Sequence, residues 1–285
     1  MHDDARPRIG LALSGGTAKS IAHIGVLRAL EEADLRPDVI VGTSGGSLIS
    51  VVYASGAGLD RMVEMAEAIN WRRLARVRIP RLGLFSNQGV AELVRDTVGD
   101  LTFEELAIPT HVVTTDLLTG EKVVFCKGPV APAVQASCSI PQIFTPVPIG
   151  DGLYADGGFV EYLPVQTLRT LSPEIVIGVH LGAYSDFRKP PRHMLSMIMR
   201  TMGIVTMRNA RISSGHADVL IAPRLAGFAS FDLKRADELL ERGHEAAVDA
   251  LPAIRHVLDL AATPSTNGWR KRFRSLWRGS THDVA

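Results

Sequence analysis

The sequence predicts a three-layer α/β/α fold around a mostly parallel central sheet, and three observations carry that reading. Two short apolar runs near the start each end in a glycine-rich turn and pass directly into a helix-like segment. Further strand-like runs recur late, at residues 175–180 and 219–221. The chain has 285 residues, 46% hydrophobic and 21% charged, enough to bury one large core. It reads as one principal domain, residues 1–262, followed by a tail, 263–285.

The first strand is Ile9-Gly10-Leu11-Ala12-Leu13, which stops at Ser14-Gly15-Gly16-Thr17. A helix over about residues 18–33 follows, with Ile21, Ile24, Leu27 and Leu30 on one side, and Pro37 closes the connection to a second strand at Val39-Ile40-Val41. Helices are expected at 59–70 and 87–98. Between them, residues 71–86 carry Arg72, Arg73, Arg76, Arg78 and Arg81 and read as an exposed loop, either solvated surface or the margin of a lid. Residues 111–116 and 122–125 flank a turn holding Gly120, a hairpin pattern. A short helix near 131–137, strand-like pieces at 146–149 and 153–155, and a closing helix over 232–261 broken or bent at Pro252 complete the reading. In such a sheet function sits at the carboxyl ends of the strands, so both glycine turns are expected there together.

The second turn is Gly42-Thr43-Ser44-Gly45-Gly46, a Gly-x-Ser-x-Gly elbow between strand and helix. In an elbow of this kind the serine takes a strained backbone conformation, and Gly42 and Gly46 keep neighbouring side chains from colliding. Ser44 would stand exposed at a helix N-terminus, where unpartnered amides favour developing negative charge. A serine there is either a nucleophile or a plain helix cap. Asp156-Gly157-Gly158 is the matching acidic station: Gly157 and Gly158 allow the chain to turn and approach closely, leaving the Asp156 carboxylate free to point at Ser44. Taken alone Asp156 would be a turn residue bonding its own backbone. Ester hydrolysis needs a nucleophile, a proton acceptor and donors for the oxyanion, and desolvation would strengthen a carboxylate as the acceptor.

Other chemistries find less support. Lys plus Arg is 31 and Asp plus Glu is 30, so the net charge of +1 gives no argument for nucleic acid. Two cysteines, Cys126 and Cys138, are too few for a disulfide framework and fit a reducing compartment. The polar N-terminus lacks the core of a signal peptide, and no run of 18 apolar residues appears, so a cytoplasmic protein is expected, peripheral at the inner face of the membrane if it binds lipid surfaces. No histidines or acids fall at metal-ligand spacing, so no metal or other cofactor is implied. A phosphate-binding loop ending in Lys19-Ser20 would need glycines at Leu13 and Ala18. Lys19 is better read as stabilising the loop or attracting an anionic head group. A serine triad would draw on His180, His216 or His244, none of which has a glycine or loop context, and His23 sits on the first helix.

Together, Ser14-Gly15-Gly16-Thr17-Ala18-Lys19-Ser20, Gly42-Thr43-Ser44-Gly45-Gly46 and Asp156-Gly157-Gly158 resemble the three ordered motifs of the patatin-like phospholipases, in their bacterial single-domain form. The phrase Ala136-Ser137-Cys138-Ser139-Ile140-Pro141 also looks familial, and the resemblance runs from about residue 9 to 165. It implies a Ser44–Asp156 dyad without histidine, an oxyanion hole from the amides of Gly15, Gly16 and Thr17, and a phospholipid or lysophospholipid acyl ester as substrate. Thr17 and Ser20 depart from the family, which usually has glycine at both places. These departures keep open the alternative of a catalytically weak lipid-binding or regulatory protein on the same fold.

Two further segments bear on lipid binding. Met194, Met197, Met199, Met202 and Met207 cluster within fourteen residues, as a wall of a lipid site or as a helix packed in the core or at a homodimer contact. In the tail, Trp269, Phe273, Leu276 and Trp277 share one helical face opposite Arg270, Lys271, Arg272, Arg274 and Arg278. That pattern suits docking on an anionic membrane, and equally a basic tail with no fixed structure or a helix folded back on the body.

Overall fold

The computed structural model describes residues 6–70, 74, 76–77, 82–183, 190–229 and 233–262. The tail with Trp269, Phe273, Leu276 and Trp277, and the arginines at 72, 73, 78 and 81, lie outside the described residues.

In chain order the elements are β1 (Ile9–Leu13), a 3-10 turn (Thr17–Ile21), α1 (Ala22–Glu32), β2 (Val39–Thr43), α2 (Gly45–Ala54), α3 (Leu59–Ala68), β3 (Arg76–Val77), β4 (Gly83–Ser86) and α4 (Gln88–Val98). There follow β5 (Thr110–Asp116), β6 (Lys122–Phe125), α5 (Val130–Ser137), β7 (Gln142–Phe144), β8 (Val147–Ile149), β9 (Gly152–Asp156), α6 (Gly158–Glu161) and α7 (Val165–Thr170). β10 (Ile175–Val179), α8 (Met194–Ser214), β11 (Val219–Ile221) and α9 (Ala236–Ala262) close the chain.

The central sheet has the order β11-β10-β1-β2-β5-β9-β8, with β6 also paired to β5. Its ladders from β11 through β5 are parallel, and those joining β5, β6, β9 and β8 are antiparallel. Alternation along the strands divides the core into two faces. Leu11, Leu13, Ile40, Ile175 and Ile177 pack towards α1, α2, α3, α4, α5 and α9, whereas Ala12, Val39, Val41 and Val176 pack towards α7 and Ala210 of α8. The result is the expected three-layer α/β/α arrangement. α1 and α9 cross with their backbones close, because a β-carbon on Gly25 would collide with the Leu240 carbonyl and one on Gly243 with that of Ala22.

Three local expectations are corrected. The stretch 71–86 is not simply loop: Arg76–Val77 and Gly83–Ser86 are strands of a second sheet, ordered β3-β4-β7. Phe85 packs against Ile140, Ile143 and Phe144, so a few apolar positions hold the strand although charge masks its pattern. The helix expected over 18–33 opens as a 3-10 turn before α1. Finally, α9 runs through Pro252 unbroken. Proline there removes the amide that would bond the Val248 carbonyl and sets its ring against that oxygen, yet the helical assignment continues to Ala262.

Candidate active site

Strand register sets the site. Thr43 lies opposite Val113, and Thr114 lies opposite Asp156, so the end of β2 and the end of β9 stand level with β5 between them. Two strand spacings, roughly 10 Å in backbone terms, separate Ser44 from Asp156. Their side chains close the gap across β5: Ser44 Oγ donates to Asp156 Oδ2 at 2.7 Å.

Ser44 has φ 53° and ψ −129°, a left-handed backbone that a non-glycine residue holds only where its surroundings impose it. Its surroundings do. Its N–H donates to Ser137 Oγ at 2.8 Å, and that hydroxyl donates to the Val113 carbonyl at 2.7 Å. Its carbonyl accepts from the amide and hydroxyl of Ser47, at 2.8 and 2.6 Å. A β-carbon on Gly42 would lie 2.5 Å from Ser50 Oγ, and one on Gly46 would collide with the Leu13 carbonyl, so both elbow glycines permit close packing. The Ser44 side chain makes no cap hydrogen bond, its hydroxyl being turned to the carboxylate instead. Ser44 is also only 7% exposed, correcting the expectation of an open position: the walls of two cavities close around it.

Asp156 is fully buried. Its Oδ1 accepts from the Gly158 amide at 2.8 Å, its N–H donates to the Ser139 carbonyl, and its carbonyl accepts from Thr115 Oγ1 at 2.8 Å. Burial pushes the carboxyl up from 3.8 to about 6, against the opposing pull of the bonds from Ser44 and Gly158. Gly157 and Gly158 do not supply a left-handed turn, since Gly157 has φ −68° and Gly158 opens α6. Their smallness serves approach instead. A β-carbon on Gly157 would collide with the Val113 carbonyl, and one on Gly158 would lie 2.9 Å from Asp156 Oδ1.

The glycine loop lies beside Ser44 but differs in one donor from expectation. The Gly15 amide is occupied, donating to the Tyr162 carbonyl at 3.1 Å, because the chain leaving α6 folds back onto the loop. Gly15 contributes closeness: its β-carbon would lie 2.8 Å from the Tyr162 ring and 3.3 Å from Ser44 Cβ. Among the described residues the amides of Gly16 and Gly45 have no acceptor. Thr17 holds φ 51°, a conformation that glycine adopts readily and a β-branched residue rarely does, so the loop keeps a glycine-like path despite the substitution. Behind it, His23 Nε2 lies 2.9 Å from the Ser14 carbonyl, and burial holds this imidazole neutral with its pKa lowered to about 4.

Two cavities meet at Ser44. One, enclosing about 750 Å³ including its mouth, is walled by Leu48, Ile49, Met65, Ile69, Leu74 and Val90. The other, about 700 Å³, holds Asp156, Lys19 and Tyr162 beside Met199, Met202 and Met207. Burial lowers the Lys19 ammonium from its ordinary value. Of the clustered methionines, Met199 and Met202 thus face the site and pack on Ile140, Ile143 and Phe144, while Met194 is 79% exposed.

No histidine among the described residues bonds to Ser44 or Asp156. His180 stands edge-on to Tyr162, with its pKa lowered to about 4 by burial, His244 contacts Glu32 at the surface, and His216 follows the end of α8, its amide donating to the Ser213 carbonyl. Sequence reading missed Ser137 and Thr115 as supports of the elbow and the acid, and Tyr162 as the partner of Gly15. Only Ser137 had a signal, its place in the familial phrase 136–141.

Fold and site together define a mixed α/β protein with a serine on a strand-to-helix elbow and a buried acid bonded to it. A family model described as patatin-like phospholipase matches residues 11–169, more than half of the chain, and the protein belongs to that family. It is 36% identical over 185 residues to an uncharacterised NTE-family protein of Mycobacterium bovis, covering 64% of this chain and 51% of that one. It is 30% identical over 186 residues to the neuropathy target esterase of Drosophila melanogaster, covering 62% of this chain and 13% of the relative. The chain thus spans about half the length of the mycobacterial relative it matches and far less of the insect one. Among solved structures it resembles the type III effector protein ExoU of Pseudomonas aeruginosa at a TM-score of 0.50 and 15% identity, covering 92% of this chain and 56% of that one, a likeness of fold alone.

Proposed function

We propose that this protein is a serine acyl hydrolase that cleaves fatty-acyl esters of phospholipids or lysophospholipids through a Ser44–Asp156 dyad. The observation that supports it is the 2.7 Å bond from the Ser44 hydroxyl to a buried carboxylate of raised basicity. Ser44 Oγ attacks the ester carbonyl carbon as its proton passes to Asp156, and the carbonyl electron pair moves onto oxygen. Collapse of the tetrahedral intermediate expels the alcohol, which takes the proton back from Asp156. Water, deprotonated by the same carboxylate, then releases the fatty acid and frees Ser44. The N-terminus of α2 and the unengaged amides of Gly16 and Gly45 favour the oxyanion.

The two cavities divide the substrate. The apolar one suits the acyl chain, and the one holding Lys19, Tyr162 and the methionines suits the alcohol portion, whose phosphate would meet the Lys19 ammonium. No described helix is long and apolar enough to cross a membrane. The basic, tryptophan-bearing sequence of residues 269–278 suits anionic headgroups.

A fluorophosphonate probe tests the proposal directly. Wild-type protein is expected to form one adduct, mapped by mass spectrometry to Ser44, and Ser44→Ala to form none. An unlabelled wild type would leave the non-catalytic lipid-binding reading in its place. The acyl assignment has its own test. Ala66 is buried in α3 against the apolar cavity, and Ala66→Leu fills part of it. The ratio of kcat/KM for long-chain over short-chain p-nitrophenyl esters is expected to fall about 10-fold. An unchanged ratio would move the acyl chain to the other cavity.

A further inference from the structure

We propose that Ser20 is a catalytic residue of the reaction above, its hydroxyl donating a hydrogen bond to the substrate carbonyl oxygen as that oxygen becomes an oxyanion. The inference rests on the proposed hydrolase activity and extends it to a position at which the sequence departs from the glycine expected by resemblance.

Ser20 is 5% exposed, and its Oγ is fully buried without a hydrogen-bond partner among the described residues. A buried hydroxyl left in this state is unusual, because burying a polar group without a partner destabilises the fold. The ordinary remedy for a serine in a helical turn is to donate to the carbonyl four residues earlier. Here that carbonyl belongs to Gly16, and it is already taken by the Lys19 amide at 3.0 Å and by Thr17 Oγ1 at 2.7 Å. The Ser20 hydroxyl is thereby left with its proton unspent.

Its position is between the two segments that frame Ser44. A β-carbon on Gly45 would run into Ser20 Oγ, and one on Gly16 would lie 3.1 Å from it, so the hydroxyl sits against both residues whose amides are unengaged. Ser20 also lines the apolar cavity together with Ser44 and Gly45. A carbonyl oxygen bound to receive the two amides therefore comes within reach of a third donor, set in apolar walls where a hydrogen bond to a developing charge is strongest. Ser20 undergoes no covalent change. It holds the oxygen while the electron pair resides there and relaxes when the carbonyl re-forms.

The test compares wild type with Ser20→Ala and Ser20→Cys, which keep a small side chain in the same space and remove or weaken the donor. Using p-nitrophenyl esters, kcat is expected to fall about 10²-fold in both, with KM changed less than about threefold. Affinity for an alkyl trifluoromethyl ketone, whose Ser44 adduct carries the oxyanion, is expected to fall in parallel with kcat, a correlation that a merely structural role would not produce. The melting temperature of Ser20→Ala is expected to hold or rise, since an unsatisfied buried hydroxyl is removed. Ser44-dependent hydrolysis in wild type, with kcat and ketone affinity in both Ser20 variants within twofold of it, would overturn this assignment and leave the hydrolase reading standing. Absence of Ser44-dependent hydrolysis in wild type would overturn both.

Discussion

Ser44→Ala is expected to lower ester turnover by on the order of 10³-fold or more, and Asp156→Asn by about 10²–10⁴-fold, while His180→Gln, His216→Ala and His244→Ala each stay within a fewfold of wild type. The contrast follows from the bonding. Ser44 Oγ has Asp156 as its partner at 2.7 Å, whereas the His180 ring lies against Tyr162, the His244 ring meets Glu32 at the surface and His216 lies beyond α8. The same dyad sets the pH profile. Asp156 must be ionised to accept the Ser44 proton, and its carboxyl titrates at about 6. In the free enzyme kcat/KM is therefore expected to rise as pH climbs through about 6 and to level off above it. Steady-state assays of wild type and the five variants between pH 4.5 and 9 check both statements. If His180→Gln proved as damaging as Ser44→Ala while remaining folded, a histidine-containing mechanism would replace the dyad.

The same buried charge makes Asp156→Asn a stabilising change at neutral pH, in opposition to its effect on activity. Taking the carboxyl from 3.8 to about 6 corresponds to about 3 kcal/mol of folding free energy spent on keeping it ionised in the interior. The sign is that of an acid whose folded-state pKa is raised. The native state binds the proton more tightly, so the penalty is absent below pH 4, grows between 4 and 6, and is complete above 6. Asparagine is nearly the same shape, can accept from the Gly158 amide and donate to Ser44 Oγ, and carries no charge to bury. At pH 8 its unfolding free energy is expected to exceed that of wild type by up to about 3 kcal/mol, a rise of several degrees in melting temperature. The difference closes as pH falls from 6 to 4. Denaturant unfolding of the two proteins at pH 4, 5, 6 and 8 checks this. Equal stability at pH 8 would mean that water reaches Asp156 and that its basicity is not raised by burial.

Such opposition of stability and activity marks where local rules are overridden for the sake of the site. Ser44 and Thr17 both hold positive φ, and Ser20 keeps an unspent hydroxyl, all within one loop and one elbow. None of these features lies in α4 or α9, farther from the chemistry, where packing is apolar and closely matched.

What the sequence by itself determined is the local grammar. β1 and β2 were legible because strands buried on both faces are short unbroken apolar runs, and the glycines after them had to mark close turns. Ser44 and Asp156 were legible for the same reason, each framed by glycines that only tight packing requires. Tertiary structure decided everything that depends on which segments meet. Residues 44 and 156 are joined because β9 pairs antiparallel with β5 in a register that levels Asp156 with the end of β2, and nothing within either motif encodes that pairing. The exposure of Ser44 went the other way from expectation because the walls that bury it come from Tyr162, Ile140 and α8, distant in the chain. The Gly15 amide is occupied because the Tyr162 carbonyl happens to fold back onto it, while Gly16 stays unengaged one residue on. β3 and β4 escaped notice since they are only two and four residues long and lie in a stretch carrying five arginines, and contact with Phe144 and Ile143 stabilises a strand that periodicity alone cannot signal. Periodicity and turn chemistry act over a few residues and are written locally; burial, register and the satisfaction of individual hydrogen bonds are properties of neighbours brought from elsewhere, and only the folded chain supplies them.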